Sequence, residues 1–375
     1  MTGARLAEGQ EQVLLSQARA GDKDAFGAVV APYLRELHVH CYRMLGSVQD
    51  AEDVLQEVLV RAWRHLGSYD GRSSFRRWLY RIATNRCLTS RSRAAAMPAP
   101  VPVLSAAPLT PPPSNAPDVE VTALQPYPDE WLSELVGHED PADQYELRES
   151  VQLAFLTVIQ LLPPRQRAAL LLRDVLSFSA AETAQILQTS PASVNSALQR
   201  ARATVEGHRA SGRLRPVSTD AAAACILADR FTTAWHAGDI PALVTVLAED
   251  CLLTMPPLPG AYRGRHAIAA FFGTVPATGD IAAIGLVPIR ANGQPAVAAY
   301  MRAGDRAEAY GIMVLTAADG QISEITGFAD PSLFPLFGLP QQTAWHPATT
   351  GQQSGGIDGL RRWPSGPGQG GAPGR

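Results

Sequence analysis

Asp50–Leu66, DAEDVLQEVLVRAWRHL, and Ser74–Arg93, SFRRWLYRIATNRCLTSRSR, decide the fold. In the first segment Ala51, Val54, Leu55, Val58, Ala62 and Leu66 recur at helical spacing and make one apolar face. Glu52, Asp53, Gln56 and Glu57 are left on the outside, with Asp50 at the helix start. In the second segment Phe75, Trp78, Leu79, Ile82 and Ala83 can pack inward, while Arg76, Arg77, Arg81 and Arg86 spread over the remaining surface. Four acids and no base lie between Asp50 and Glu57; seven arginines and no acid lie between Arg72 and Arg93. Arginine neutralises phosphates and releases counterions, and aromatic faces interleaved with it can stack on unpaired bases. By itself the acidic face reads as a solvated helix surface, while the arginine-rich segment that follows suits nucleic acid.

Outward from this core, the chain divides by composition. Its 375 residues, 46% hydrophobic and 18% charged, allow two or three packed domains. Residues 13–93 read as helices. Residues 94–140 hold the proline-rich run PAPVPVLSAAPLTPPPSNAP and then an excess of acids, the composition of a linker. Residues 141–210 are helical again. Residues 220–337 begin helical and pass into short strands separated by Gly, Asn-Gly and Asp-Gly. Residues 338–375 are Gly/Pro-rich and expected to be disordered. The net charge of −3 hides this zoning. Four widely spaced cysteines (Cys41, Cys87, Cys225, Cys251) suit a reduced compartment and give neither a disulfide framework nor a zinc spacing. No signal-peptide h-region and no membrane-length apolar run are evident, so the expected location is the cytoplasm, with no membrane partner.

Leu161–Arg202, LLPPRQRAALLLRDVLSFSAAETAQILQTSPASVNSALQRAR, has the pattern of a helix-turn-helix. Leu170, Leu171 and Val175 belong to a leading helix. Ser179 and Glu182 have the spacing of a capping box, with Ala184 and Leu187 facing inward. Ser190 with Pro191 starts a third helix, which buries Val194, Ala197 and Leu198. Its outward residues Ser193, Asn195, Ser196 and Gln199 are of the kind that read base edges in the major groove. Arg200 and Arg202 follow as phosphate contacts.

The order of residues in both stretches resembles extracytoplasmic-function (ECF) sigma factors of the sigma-70 family, with region 2 over about 13–93 and region 4 over 141–210. The resemblance implies that Asp50, Glu52, Asp53, Gln56 and Glu57 pack on the coiled coil of the polymerase β′ subunit. It also implies that the loop and helix Ser68–Arg93, with Arg72, Arg76, Arg77, Trp78, Arg81, Asn85 and Arg86, capture the non-template strand of the minus-ten element. Region 4 would bind the minus-35 element and the polymerase β flap. Thr89, Gln188 and Asn195 depart from the family's usual Asp, turn Gly and Lys.

Ala228–Asp250, ADRFTTAWHAGDIPALVTVLAED, and Met255–Phe272, MPPLPGAYRGRHAIAAFF, resemble SnoaL-like domains of the nuclear-transport-factor-2-like cone fold. The fold class expected is therefore multidomain, two all-α domains plus an α+β cone. His236, Asp239, Asp250, His266 and Asp305 fall in no acid–base motif, with Asp239 read as a helix cap and Asp250 as a turn residue. No cofactor, metal or catalytic residue is assigned. Met255, Pro256, Pro257, Tyr262 and Phe272 are candidate pocket or interface residues, against plain core packing. In sigma factors carrying such a tail, the tail is thought to adjust activity in place of a separate anti-sigma factor. An intramolecular contact with region 2 or the linker is expected here, and QPYPDEWL (Gln125–Leu132) is the candidate linker motif. Two rivals stay open: a promoter-binding regulator that uses only the helix-turn-helix, and a cyclase- or epoxide-hydrolase-like enzyme with a DNA-binding leader.

Overall fold

The computed structural model describes residues 8–94, 124–133, 150–211, 214, 220–258 and 261–345. The chain forms two compact units. One takes Met1–Ala99 with Glu130–Leu214, and the other takes Pro100–Asp129 with Arg215–Arg375.

The first unit is helical. Its N-terminal part holds α1 (Glu8–Arg19), α2 (Lys23–Val30), α3 (Leu34–Leu45), α4 (Val48–His65) and α5 (Phe75–Ala94). Helix α3 stops at Gly46, whose φ of 82° a side chain would strain. Ser47 then caps α4 by accepting from the Asp50 amide at 3.1 Å. The α4 face read from the sequence is the buried one at Ala51, Val54, Val58 and Ala62, with Leu66 buried just beyond the helix. An aromatic cluster closes the bundle: Phe75 stacks on Trp78 at 5.6 Å, and Tyr33 and Tyr69 meet Phe75 edge-on at 5.9 and 5.5 Å.

The short helix α6 (Asp129–Ser133) brings Trp131 and Leu132 into this unit. Then follow α7 (Leu153–Leu161), α8 (Pro164–Leu170), a π-helical turn (Leu171–Val175), α9 (Ala180–Leu187) and α10 (Pro191–Ala210). The capping box at Ser179 and Glu182 is formed, and Ser190 caps α10 with Pro191 at its first position. Between these two helices Gln188 adopts the left-handed conformation (φ 52°). A glycine would adopt that conformation without the strain a glutamine side chain adds.

The second unit is a helix-covered sheet. Helices α11 (Ala221–His236), α12 (Ile240–Val246) and α13 (Arg265–Phe272) accompany β1 (Leu247–Thr254), β2 (Ala261–Arg263), β3 (Ile284–Ala291), β4 (Gln294–Ala303), β5 (Arg306–Ala318), β6 (Gln321–Phe328) and β7 (Gln342–Ala344). Strand order is β2-β1-β6-β5-β4-β3, with β7 on β5; β1 and β6 run parallel and the other pairs antiparallel. The Asn292-Gly293 and Asp319-Gly320 turns have positive φ at both residues, as two-residue hairpins require. Register slips in β4/β5 and β5/β6, where a bulge increases local twist and bend. At the first of these Gly311 is obligatory, because a Cβ there would lie 2.5 Å from the Phe328 carbonyl oxygen. Phe231, Trp235 and Phe272 centre the core, and the Trp235 indole donates to the Ile284 carbonyl at 3.1 Å.

Three readings change. Asp250 lies on strand β1 rather than in a turn. The chain is ordered beyond 338, where β7 pairs with β5 and Trp345 is buried; the rest of that tail lies outside the described residues. Residues 124–129, inside the expected linker, are an integral piece of the second unit.

Candidate polymerase and nucleic-acid interfaces

On α4, Asp50, Glu52, Asp53 and Gln56 are exposed. Glu57 is exposed as well but is engaged by Arg86, whose charged state that bond stabilises. The amphipathic pattern thus leaves an acidic ridge on a helix whose opposite face is locked in the bundle.

Helix α5 is less open than its arginine content suggests. Arg76 is held by the Glu36 carboxylate, with Nε and Nη2 each at 3.0 Å, and its guanidinium lies over the Tyr80 and Phe178 rings at 4.9 and 5.1 Å. Arg77 Nη1 pairs with Glu182 Oε1 at 3.2 Å. Asn85 donates to the Ile186 carbonyl at 3.3 Å. Trp78 is 4% exposed and belongs to the aromatic core, so in this conformation it offers no face to a base. Arg81 is exposed, and Arg72 is exposed beside Asp70.

The recognition-type helix α10 presents Ser193, Asn195, Ser196, Gln199 and Arg200 to solvent, while Val194, Leu198 and Ala201 are buried. The cap at Ser190, through its bonds to the Ser193 amide and hydroxyl, fixes the first turn of that face. Arg202 is turned toward Asp174, with bonds of 2.6 and 2.9 Å. The sequence reading missed what joins the two helical regions. Arg167, 0% exposed, donates to the Met44 and Ile159 carbonyls at 2.6 and 2.7 Å and to those of Gln160 and Leu162 at 2.6 and 3.1 Å. Gln160 in turn donates to the Arg43 carbonyl at 3.0 Å. Arg167 also engages the Gln160 side-chain oxygen, but a role whose acceptors are mostly backbone carbonyls leaves little spacing signature.

Beneath α6, Trp131 meets His38 edge-on at 5.5 Å and receives the Arg35 guanidinium at 5.0 Å. Burial, aided by Arg35, lowers the His38 pKa to about 4. Burial, with Arg43 and Arg76 nearby, lowers that of His40 to about 3.

In the second unit the linker residues Leu124–Asp129 run along the β3–β4 turn. Tyr127 and Asn292 exchange two bonds, Tyr127 N to Asn292 Oδ1 at 2.8 Å and Asn292 N to the Tyr127 carbonyl at 2.9 Å. Pro128 bridges to Ala291. Asp129 takes Arg290 Nε at 3.0 Å and the Gly293 amide at 2.7 Å. This is the expected contact between the third domain and the linker motif.

In the same domain Asp239 caps α12 through the Ala242 amide at 2.9 Å, and His236 Nε2 accepts the Leu286 amide at 3.0 Å. Both are thereby committed to backbone. Tyr262 and Phe272 are core residues, and Met255 packs against that core. Among the described residues no group of three or more His, Cys, Asp and Glu is placed to hold a metal, and no helix is long and apolar enough to cross a membrane.

Comparison with known proteins matches Sigma-70 region 2 over residues 29–96, Sigma-70 region 4 over 152–205 and a SnoaL-like domain over 228–325. The ECF RNA polymerase sigma factor SigG of Mycobacterium tuberculosis is 43% identical over 328 residues, covering 86% of this chain and 85% of its own. The RNA polymerase sigma-H factor of Pseudomonas aeruginosa is 31% identical over 204 residues, 54% of this chain and 94% of its own. The crystal structure of the M. tuberculosis extracytoplasmic function sigma factor SigJ superposes with a TM-score of 0.52 at 24% identity, covering 82% of this chain and 96% of that one. Helices α4 and α5 fall within the region 2 match and the helix-turn-helix within the region 4 match, and with a relative 43% identical over most of both chains, this chain belongs to the ECF RNA polymerase sigma factors.

Proposed function

We propose that the chain docks on the β′ coiled coil of core RNA polymerase through Asp50, Glu52, Asp53 and Gln56, with Glu57 freed from Arg86 on docking. Region 4 adds the contact with the β flap. Arg72, Arg76, Arg77, Arg81, Asn85 and Arg86 hold the non-template strand of the minus-ten element. Ser193, Asn195, Ser196 and Gln199 read the minus-35 element, and Arg200 and Arg202 grip its phosphates. The observation that carries this reading is the exposed acidic ridge of α4 in the same unit as the capped, solvent-facing polar side of α10. The SnoaL-like domain acts as a modulator rather than an enzyme. Its grip on Tyr127 and Asp129 fixes one end of the segment between regions 2 and 4, and so sets how freely they separate.

Run-off transcription with core polymerase on sheared genomic DNA tests the whole reading, since discrete transcripts with shared upstream elements are expected. The double substitution Glu52→Arg/Asp53→Arg should weaken core binding at least tenfold and leave the thermal midpoint unchanged, because both side chains are exposed. Unchanged core affinity would remove α4 from the interface. Asp129→Asn should alter transcription only through the linker, at unchanged core affinity of region 2.

A further inference from the structure

The two arginines of α10 are not equivalent. Each helical residue turns the chain by about 100°, so Arg200 and Arg202 leave opposite flanks of the solvent-facing side. Arg202 shares a stripe with Asn195 and Gln199, whereas Arg200 follows Ser193 and Ser196. Arg200 is simply exposed. Arg202 is held along one edge by a single carboxylate: Nε donates to Asp174 Oδ2 at 2.9 Å and Nη2 to Asp174 Oδ1 at 2.6 Å. A guanidinium carries its N–H donors in a planar fork with two such edges. Asp174 takes the Nε/Nη2 edge, and the Nη1/Nη2 edge is left for a second acceptor. The carboxylate itself is well placed. Asp174 lies in the π-helical turn Leu171–Val175, which the Leu176 amide closes on the Leu171 carbonyl at 3.0 Å. The Phe178 amide then returns to the Leu172 carbonyl at 2.9 Å across Ser177 (φ 55°), and Arg173 donates to the Phe178 carbonyl. Turns of this kind occur frequently at functional positions. Side-chain exposure is 29% for Asp174 and 61% for Arg202, so the arginine is the outward end of the pair.

We infer that Asp174 is a positioning residue for promoter recognition: its carboxylate holds the Nε/Nη2 edge of Arg202 so that the Nη1/Nη2 edge meets a DNA phosphate beside the bases that Asn195 and Gln199 read. This rests on α10 being the reader of the minus-35 element. Two phosphate oxygens fit the open edge as the two carboxylate oxygens fit the other. An exposed ion pair of this sort adds little to stability, but a bidentate pair between two fixed elements sets an orientation. Because its partner is an anion, Arg202 brings little net charge to DNA, and the sequence-independent attraction falls to Arg200. What Arg202 supplies is register. A phosphate caught at a fixed place on the Asn195–Gln199 stripe determines which base edges those two side chains can reach.

The full chain on core polymerase is titrated, by fluorescence anisotropy, against two labelled duplexes. One is a promoter fragment recovered by run-off transcription, and the other is the same fragment with its minus-35 element scrambled. The ratio of the two affinities is the readout. Asp174→Asn keeps the size of the side chain but presents only one acceptor oxygen. It should lower the ratio roughly five- to tenfold while the scrambled duplex binds no more weakly than before. Arg202→Lys keeps the charge but has no second edge, and should lower the ratio by a similar factor. In an Arg202→Ala background, Asp174→Asn should have no further effect on the ratio. If Asp174→Asn tightened both duplexes by one factor, the carboxylate would be a mere competitor of phosphate. If it weakened both by one factor, the pair would be a fold contact. Either result overturns the inference, as does an unchanged ratio in Asp174→Asn beside a lowered one in Arg202→Ala. An unchanged ratio in both Asn195→Ala and Arg202→Ala would instead remove α10 from the promoter, and the inference with it.

Discussion

Replacing Arg167 by methionine removes a guanidinium but keeps its volume. The side chain is 0% exposed and donates to the backbone carbonyls of Met44, Ile159, Gln160 and Leu162. Ile159 retains a second donor, the Leu162 amide at 3.1 Å, so the loss falls on the other three carbonyls and on the Gln160 side-chain oxygen that Arg167 also engages. Each buried acceptor left short of a donor costs about 1–3 kcal/mol, offset in part because a buried charge no longer has to be desolvated. A net destabilisation of about 4 kcal/mol is expected for the helical unit. Urea titration of the full chain, with hydrogen exchange in α3 and α8 to assign the transition, reads this out. The sheet unit should unfold at its original midpoint and serves as an internal control. The variant should also weaken the hold of region 4 on the end of α3, since Met44 belongs to region 2. A loss below about 1 kcal/mol would refute the idea that this arginine's bonds, rather than the apolar packing around it, fix α8 on α3.

Stability should fall in mild acid. His38 and His40 are neutral in the fold with pKa values near 4 and 3, whereas the unfolded chain protonates them near 6.5, so the unfolded state binds the extra protons. Full stability is present above pH 6.5 and declines below it by up to about 1.4 kcal/mol per unit for each histidine; urea midpoints at pH 7, 6 and 5 for the parent and His40→Gln should show a shallower slope in the variant. Asp129→Asn should cost the sheet unit about 2 kcal/mol through the Arg290 and Gly293 bonds, read as faster exchange of the Asn292 and Gly293 amides. In the holoenzyme, Arg200→Ala should lower the salt slope of promoter binding by about one, uniformly across sequences, whereas Asn195→Ala should change sequence preference instead.

Periodicity located α4, and periodicity with the local caps at Ser179 and Ser190 located both helices of the helix-turn-helix, because one side of each is buried. The hairpin turns were legible for the same reason: Asn292-Gly293 and Asp319-Gly320 carry their own backbone preference. What escaped were relations between distant residues. Glu182 read as a capping residue and is one, yet its second oxygen meets an arginine 105 positions away. Trp78 reads from its spacing as an inward-packing residue and from the resemblance as a strand contact; in the fold it is stacked on Phe75. Asp250 sits on β1 in the register shift between Leu247 and Leu252, both of which pair with β6, so the sheet carries it in spite of its preference for turns. Leu124–Asp129 reads as linker by its prolines, but Tyr127 is wholly buried and its amide and carbonyl are spoken for by Asn292.

That docked segment bears on how the sheet avoids its own kind. Strand β3 is the last in its sheet, and an edge strand displays unpaired amides and carbonyls that can recruit a second copy. Near its end Pro128 lies against Ala291, and proline contributes no amide to extend a ladder. The edge guard of the third domain is thus encoded some ninety residues upstream of α11, on the far side of region 4. A protein begun at residue 215 would fold without it. Such a fragment should associate through β3 in a concentration-dependent way, and a synthetic peptide spanning 124–129 should disperse it.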